Sequence, residues 1–304
     1  MKIFLQLLLP TILACVSGVS YAEEENTAKV EPSETEIFLF DIDLSLKENV
    51  LSNGSNVTNW PAYDNQPSFT KGSNSFVFSR GNDGSTDVYE YFLDSGKTQQ
   101  LSSSEATEYS PTPSPDNKTI SFVSDRSASI WSGTREDLNN PKPAQSGNDN
   151  AEPIGYYAWN HKTGDILYWS QYGFSVSLVH QSTEGYHFIS GHAIPSTPYV
   201  IPGTDNFSFV HRQTNGQDWI KEFDPQSKSV RPLTPIVGTN ANYAWTPGGS
   251  ILMIEKDQLY RWTQKPNEDW VKIADISKFA IKGAYRLAIS PNSKKLAVVG
   301  YPSQ

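Results

Sequence analysis

The sequence predicts an all-β protein: a six-bladed β-propeller of four-stranded blades, with the last blade closed by N-terminal strands. The first observation is a sequence repeat: the segment SPDNKTISFV at 114–123 aligns without a gap with SPNSKKLAVV at 290–299. Related segments begin at 70, 160, 201 and 246, so successive starts lie 44, 46, 41, 45 and 44 residues apart. A period of about 40–45 residues built from short strands is typical of propeller blades.

The composition agrees with this fold class. The 304 residues include 8 Trp, 15 Tyr, 14 Phe, 20 Gly and 20 Pro, as expected of many short strands joined by turns. The chain also carries 24 basic against 33 acidic residues. Such a surface repels nucleic acid and anionic lipid, so we expect no nucleic-acid partner.

The clearest repeat unit runs from 108 to 131. Pro115 presets a turn φ, and Asp116 with Asn117 tolerates the left-handed angles that a hairpin needs. Ile120 and Phe122 then belong to a strand. We therefore interpret Pro115 and Asp116 as turn formers and place them on the face opposite the predicted binding site.

The other blades follow the same pattern, at roughly 66–102, 110–150, 156–190, 199–234 and 243–273. In the second of these, the segment 135–150 is polar and interrupted by proline, so we expect its fourth strand to be short or displaced.

The sixth blade is predicted to be composite. Residues 284–300 supply two inner strands, and residues 36–53, which resemble the outer half of the blade at 87–102, supply two outer strands. Closing the ring in this way pairs edges that an open sheet would leave exposed.

Residues 1–22 are interpreted as a signal peptide, because Lys2 precedes an apolar run and Ser20 to Ala22 form a small-x-small cleavage site. The run is shorter than the roughly 20 residues of a transmembrane helix, so we expect no membrane span. We expect cleavage after Ala22 and a periplasmic location. The alternative is a lipoprotein anchored through Cys15, the only cysteine. Residues 23–35 are predicted to be a disordered acidic tether, and 36–304 the propeller.

The repeats resemble the WD40-like (PD40) repeats of the TolB family of periplasmic β-propellers. The family pattern SPxWSPDGxxIAFxSDR fits residues 110–126, and it also fits the unit beginning at Gln66, with Phe69 at the aromatic position. The resemblance spans nearly the whole mature chain. It does not include the N-terminal α/β domain of TolB, for which this sequence has no counterpart.

The resemblance implies a non-enzymatic protein that binds an envelope protein or peptide, such as a lipoprotein, in cell-envelope maintenance or translocation. We also expect the protein to be a monomer. A propeller enzyme acting on a polysaccharide, as a lyase or glycosidase, is the alternative.

Loops that enter the innermost strands should lie on one face of the ring, and Tyr and Arg are favoured at binding hot spots. We therefore predict a binding site at this mouth. Its residues are Arg80, Asp83, Tyr109, Asp125, Arg126, Tyr157, His211, Arg212, Tyr243, Tyr285 and Arg286.

No catalytic or cofactor site is predicted. The sequence has no Gly-x-Ser-x-Gly elbow and no phosphate-binding loop. His180, His187 and His192 are close in sequence, but the strand assignment separates them, so we predict no metal site.

Overall fold

The computed structural model describes residues 34–82, 84–126, 129–144, 153–182, 185–265 and 268–303. The predicted signal peptide, and most of the tether, lie outside these residues. Thr35, at the end of the predicted tether, is buried, and its Oγ1 donates to the carbonyl oxygen of Asp64 over 3.1 Å. This hydrogen bond attaches the residue before the strand Glu36–Ile42 to the start of the strand Asp64–Phe69.

The described residues form six antiparallel sheets of four strands each, which confirms the predicted all-β propeller. The innermost strands are β3 (Asp64–Phe69), β7 (Glu108–Pro113), β11 (Ile154–Asn160), β15 (Tyr199–Val200), β19 (Tyr243–Trp245) and β23 (Ile281–Ile289). The second strands are β4 (Ser75–Asn82), β8 (Thr119–Ser124), β12 (Asp165–Ser170), β16 (Phe207–Arg212), β20 (Ile251–Glu255) and β24 (Lys295–Pro302).

The remaining strands lie towards the outside of the ring. The third strands are β5 (Ser85–Phe92), β9 (Ser129–Thr134), β13 (Ser175–His180), β17 (Asp218–Asp224), β21 (Gln258–Trp262) and β1 (Glu36–Ile42). The outermost are β6 (Lys97–Gln100), β10 (Asp137–Pro143), β14 (His187–Ser190), β18 (Ser229–Pro235), β22 (Val271–Asp275) and β2 (Leu51–Asn56). A 3-10 turn, Ile276–Lys278, precedes β23.

The composite blade is confirmed. Strand β1 pairs with β24 in continuous antiparallel register from Glu36 opposite Gly300 to Asp41 opposite Lys295. We number the blades from the one that contains β3 as blade one to this composite blade as blade six. Neighbouring blades contact one another in sequence order, and blade six packs against blade one, so blade three lies opposite blade six.

Apolar side chains of adjacent sheets fill the space between blades. Phe76 and Phe78 of blade one are fully buried with Ile37 and Val299 of blade six. Burying such a side chain stabilises the fold by about 1.5–3 kcal/mol. The fourth strand of blade two is present, and its pairing shifts register between Asp137 and Lys142, where Pro141 cannot donate a ladder hydrogen bond.

Each hairpin between the first and second strands turns through one residue in the left-handed region. These residues are Ser73, Asn117, Gly164, Gly203, Gly249 and Ser293, with φ between 57° and 83°. In blade two the Asp116 carboxylate accepts hydrogen bonds from the Ser114 hydroxyl over 2.7 Å and the Lys118 amide over 3.1 Å. The predicted turn role of this segment is therefore confirmed.

Within the described part of the chain, we find no helix of the length and apolar character needed to cross a membrane.

Candidate functional site

Two cavities are lined by residues of the innermost strands. The channel cavity, about 290 Å³, is lined by all six innermost strands or the residues next to them: 66–69, 110–112, 157–159, 197–200, 242–245, 286–289 and Pro291. The mouth cavity, about 480 Å³, is open to one face and lies where the innermost strands of blades one to three begin. Gln66 lines both cavities, so they adjoin.

The mouth cavity has an aromatic wall. Five of its lining residues are aromatic: Tyr63, Tyr109, Tyr156, Trp169 and Phe174. Trp169 contacts both Tyr156 and Phe174, with ring centroids 5.8 Å apart in each case. Val123, Ile154, Gly155, Gln171 and Pro195 complete the lining together with Gln66.

Gly155 makes room for this wall. A Cβ at this position would lie 2.5 Å from Cζ3 of Trp169, so only glycine lets the indole pack against the β11 backbone. The Trp169 Nε1 also donates to the Ala193 carbonyl over 3.0 Å, and this bond fixes the ring.

Irregular pairing positions the cavity residues. Gln66 and Ser110 occupy equivalent places in β3 and β7, where the pairing shifts register, and both have left-handed φ values, 57° and 54°. The Gln66 Oε1 accepts hydrogen bonds from the Ser110 amide over 2.8 Å and the Ser79 hydroxyl over 3.2 Å. Holding a non-glycine residue in this region costs about 1–3 kcal/mol in backbone strain, and residues strained in this way cluster at functional sites.

Arg286 crosses the channel. It projects from β23 of blade six, and its Nη2 donates to Oη of Tyr156 on blade three over 3.2 Å. The guanidinium carbon lies 5.4 Å from the centre of the same phenol ring. Arg286 lines the channel cavity and Tyr156 lines the mouth cavity, so their hydrogen bond lies where the two cavities meet.

The rest of the Arg286 guanidinium is unpaired within the described structure. Nε and Nη1 are buried and have no hydrogen-bond acceptor among these residues. Tyr63 and Tyr285 lie close enough to interact electrostatically with the cation. Burial raises the pKa of both tyrosines, so their phenols stay neutral around the arginine at physiological pH.

Four predicted site residues line the two cavities. Tyr109 lies in the mouth cavity and is 36% exposed. Arg286, Tyr157 and Tyr243 lie in the channel cavity. Tyr157 donates to the Ser121 hydroxyl over 2.8 Å, and burial raises its pKa to about 12. Tyr243 lies 2.8 Å from the Ser208 hydroxyl, so the two buried tyrosines join neighbouring blades.

Tyr285 is adjacent to the cavities without lining either. Its hydroxyl accepts a hydrogen bond from Nδ2 of Asn65, which connects blade six to blade one.

Arg80 lines neither cavity and is surrounded by aromatic side chains. Its Nε and Nη2 each donate to the Asp64 carboxylate over 2.7 Å, and both side chains are buried. Its guanidinium carbon lies 4.7–5.2 Å from the rings of Trp60, Phe78 and Tyr89. This bidentate, stacked geometry suits a structural role between the first strands of blade one.

Arg126 and Arg212 are held by local partners outside the cavities. Arg126 Nη2 lies 3.7 Å from the buried Glu108 carboxylate, and its guanidinium is 5.6 Å from the Trp131 ring. Arg212 is exposed and donates to both carboxylate oxygens of Asp218 over 2.8 and 2.9 Å.

The remaining predicted residues have separate environments. Asp125 is exposed, and its Oδ1 accepts from the Thr107 amide over 2.9 Å. His211 has a buried, unpaired Nδ1 within the described structure, and burial lowers its pKa. Asp83 lies outside the described residues.

Tyr63, Gln66, Tyr156, Trp169 and Phe174 were not predicted. Tyr156 immediately precedes the predicted Tyr157, and adjacent side chains of a strand point to opposite faces. The register shift between Ile154 and Tyr156 decides which tyrosine lines which cavity, and no local sequence signal marks that shift. The sequence signal that could have identified Tyr156 was its position next to the predicted Tyr157.

The histidines do not converge on a metal site in the described part of the chain, where no group of three or more potential ligands occurs. The His180 Nε2 lies 3.0 Å from the Thr163 carbonyl oxygen.

No protein-family model and no curated protein matches the sequence. Solved structures do match. A putative TolB from Agrobacterium tumefaciens has a TM-score of 0.64 at 13% identity, over 88% of this chain and 98% of that one. TolB from Acinetobacter baumannii has a TM-score of 0.56 at 10% identity, over 89% of this chain. The match spans 65% of the Acinetobacter protein, less than two thirds of its length.

The same fold occurs in an enzyme. A gluconolactonase from Xanthomonas campestris has a TM-score of 0.61 at 10% identity, over 90% of this chain and 97% of that one. At these identities the likeness concerns the fold alone, and one propeller architecture carries different functions. The chain has the TolB-like six-bladed β-propeller fold.

Proposed function

We propose that this chain is an exported binding protein that engages a protein or peptide partner at the mouth cavity, without catalysing a reaction. The observation that carries the proposal is the continuous aromatic wall formed by Tyr156, Trp169 and Phe174 at the open end of the channel. Tyr and Trp are enriched among interface hot spots, where removing one side chain costs about 2 kcal/mol or more.

The exposure of this wall supports a partner of macromolecular size. Phe174 is 55% exposed and Tyr109 36% exposed, so both offer apolar area that a partner would remove from water. Trp169 is buried behind them and held by the Ala193 carbonyl. A rigid aromatic base beneath exposed rings loses little conformational entropy on binding.

The chemistry of the lining supports recognition. Around the two cavities the described residues contribute phenols, indoles, amides, hydroxyls and aliphatic groups, and Arg286 contributes the one formal charge. Lyases and glycosidases commonly use carboxylates or histidines as acid and base. The alternative, an enzyme that acts on a polysaccharide, is an explicit outcome of the test below.

The proposal includes a periplasmic location with a role in cell-envelope maintenance or translocation. It rests on the signal-like segment 1–22. Mass spectrometry of the mature protein separates an N-terminus at Glu23 from a lipidated N-terminus at Cys15.

The test compares two exposed phenylalanines of the same blade. The mature protein is immobilised and used to capture partners from its own envelope extract, as wild type and as Phe174→Ser. Phe188→Ser is the matched control, because Phe188 is 64% exposed on outermost strand β14 and lines neither cavity. We expect wild type and the Phe188→Ser control to retain one partner, and Phe174→Ser to retain at least about tenfold less of it.

Equal retention by both variants would contradict binding at the mouth. Depolymerisation of a polysaccharide by wild type, with no retained partner, would support the enzyme instead. Purified wild type and both variants are compared by circular dichroism, so that loss of folding is recognised.

A further inference from the structure

Unpaired hydrogen-bond donors are concentrated in the channel cavity. Seven buried side-chain nitrogen or oxygen atoms in the described structure lack a hydrogen-bond partner, and four of them belong to residues of this lining. The four are Nε and Nη1 of Arg286, Nε1 of Trp159 and Oγ of Ser110. All four can donate, and the arginine and indole nitrogens can only donate.

Leaving such groups unpaired is unfavourable. A buried donor without an acceptor costs about 1–3 kcal/mol, and more for a charged group. The site also holds Ser110 in the left-handed region at a register shift of β7. Strain and unpaired donors at one place are expected where a ligand supplies the missing acceptor.

The positive charge of Arg286 indicates an anionic ligand. Arg286 is a permanent cation, and the described salt bridges do not include it. Its planar guanidinium matches a carboxylate through two parallel hydrogen bonds. The walls beside it are largely apolar or aromatic, with Tyr199, Tyr243 and Trp245 among the lining. They suit an acid with an organic body.

We propose that the channel cavity is a carboxylate-binding site, in which Arg286 forms the ion pair and Trp159 and Ser110 donate additional hydrogen bonds. The inference rests on the proposed function where the carboxylate belongs to a peptide partner engaged at the mouth. Arg286 is partly exposed to the cavity while its Nε and Nη1 are covered. The acceptor therefore reaches these atoms after a rotation of the guanidinium away from Tyr156.

The same carboxylate chemistry has two sources: a peptide terminus or a small organic acid. Two pairs of probes distinguish them by isothermal titration calorimetry on the mature protein. Benzoate and benzamide have nearly the same shape and differ in charge. Acetyl-Gly-Gly-Tyr with a free carboxylate is compared with its C-terminal amide.

We expect the acid of at least one pair to bind at least about tenfold more tightly than its amide, as a charge-assisted bidentate pair allows. Tighter binding of the peptide acid than of benzoate identifies a peptide carboxylate as the source, and the reverse identifies a small acid. In Arg286→Gln the acid and its amide should bind about equally tightly, because the glutamine side chain cannot replace the cation.

Two further variants keep the test interpretable. Trp159→Phe keeps an aromatic ring beside His161 while removing the N–H donor and part of the indole, and it should lower the acid preference about threefold. It serves as the test if Arg286→Gln does not fold. Arg212→Gln removes an exposed, paired arginine outside the cavities and should leave the preference unchanged.

Equal affinity of acid and amide for wild type would overturn the inference, as would an acid preference that persists in Arg286→Gln. Tighter binding of phenyl phosphate than of benzoate, lost in Arg286→Gln, would replace carboxylate by phosphate. Failure of these probes, with partner capture still dependent on Phe174, would remove this inference and leave the proposed function standing.

Discussion

Arg286 of blade six and Tyr156 of blade three are hydrogen bonded across the axis of the ring, with Nη2 and Oη 3.2 Å apart. This contact joins opposite blades at the boundary of the two cavities. Arg80 offers the structural contrast, because both of its bonds to Asp64 are formed within blade one. Arg80 is held by a carboxylate, whereas Arg286 keeps two buried atoms unpaired in the described structure.

The first prediction compares these two arginines. Arg80→Met leaves the buried Asp64 carboxylate without its cation and should lower the free energy of unfolding by about 3–5 kcal/mol. Arg286→Met removes unpaired buried donors and should raise the free energy of unfolding by about 1 kcal/mol. Urea unfolding followed by tryptophan fluorescence measures both. A loss of similar size in the two variants would show that Arg286 is structurally paired as well.

The second prediction concerns the composite blade. A Cβ on Gly54 in β2 would lie 2.4 Å from Cε1 of Phe40 and 2.7 Å from Cδ1 of Phe279. Gly54→Ala should therefore destabilise the protein by about 1–3 kcal/mol through overpacking. Ser55→Ala, at an exposed neighbouring position, is the control and should change stability by less than about 0.5 kcal/mol. Thermal unfolding that is unchanged in Gly54→Ala would contradict this packing.

A third prediction isolates backbone strain from packing. Gly249 has φ of 80° and its added Cβ would meet nothing closer than 3.6 Å, so Gly249→Ala introduces strain without a clash. We expect a loss of about 1–2 kcal/mol. Gly248→Ala, in the same turn but outside the left-handed region, has the same added methyl group and should be nearly neutral. Chemical denaturation of the pair measures the difference, and equal stability would refute the assigned turn.

The fourth prediction is a pH dependence. Burial raises the pKa of Glu108, although Ser102 and Ser104 donate hydrogen bonds to its carboxylate and Arg126 lies nearby. A raised pKa means that the folded state binds the proton more tightly than the unfolded chain. The resulting stabilisation is fully present below the unfolded pKa of about 4.3 and is lost as pH rises through the folded pKa.

Glu108→Gln should remove this dependence. The stability advantage of wild type over Glu108→Gln is expected to be largest near about pH 4 and to shrink towards about pH 8, as measured by urea unfolding at each pH. Asp116→Asn provides a control of opposite sign. Hydrogen bonds from Ser114 and Lys118 lower the pKa of Asp116, so its contribution is lost as pH falls. An advantage of Glu108 that grows with pH would contradict the assignment.

Much of the fold could be predicted because its signals are local. The turn at Ser114 to Lys118 and the alternating residues after it recur at a blade-length period, and the outer-strand resemblance of 36–53 to 87–102 identified the closing strands. The left-handed residues at Asn117 and Ser293 occupy equivalent hairpins. Turn chemistry and strand alternation therefore sufficed for the number and order of blades.

The site was less accessible to sequence reasoning, because its contacts are long-range. The partner of Arg286 lies 130 residues away, on the opposite blade. Arg80 has the same residue type but lies on the second strand β4, where it is enclosed by Trp60 and paired with Asp64. Whether an arginine pairs locally or reaches across the axis depends on strand register, and the shift between Lys282 and Arg286 has no sequence signature.

The pairing of β1 with β24 has a consequence for how the chain acquires its structure. Phe40 is synthesised long before Leu296, its partner in the ladder. The apolar residues Ile37 to Phe40 therefore stay without this sheet partner until β24 has been made. Such late, long-range pairing slows folding and leaves an aggregation-prone segment exposed in the meantime. Ring closure therefore depends on β24: a chain truncated before this strand keeps an open edge on β1 that quality-control proteases and chaperones can recognise.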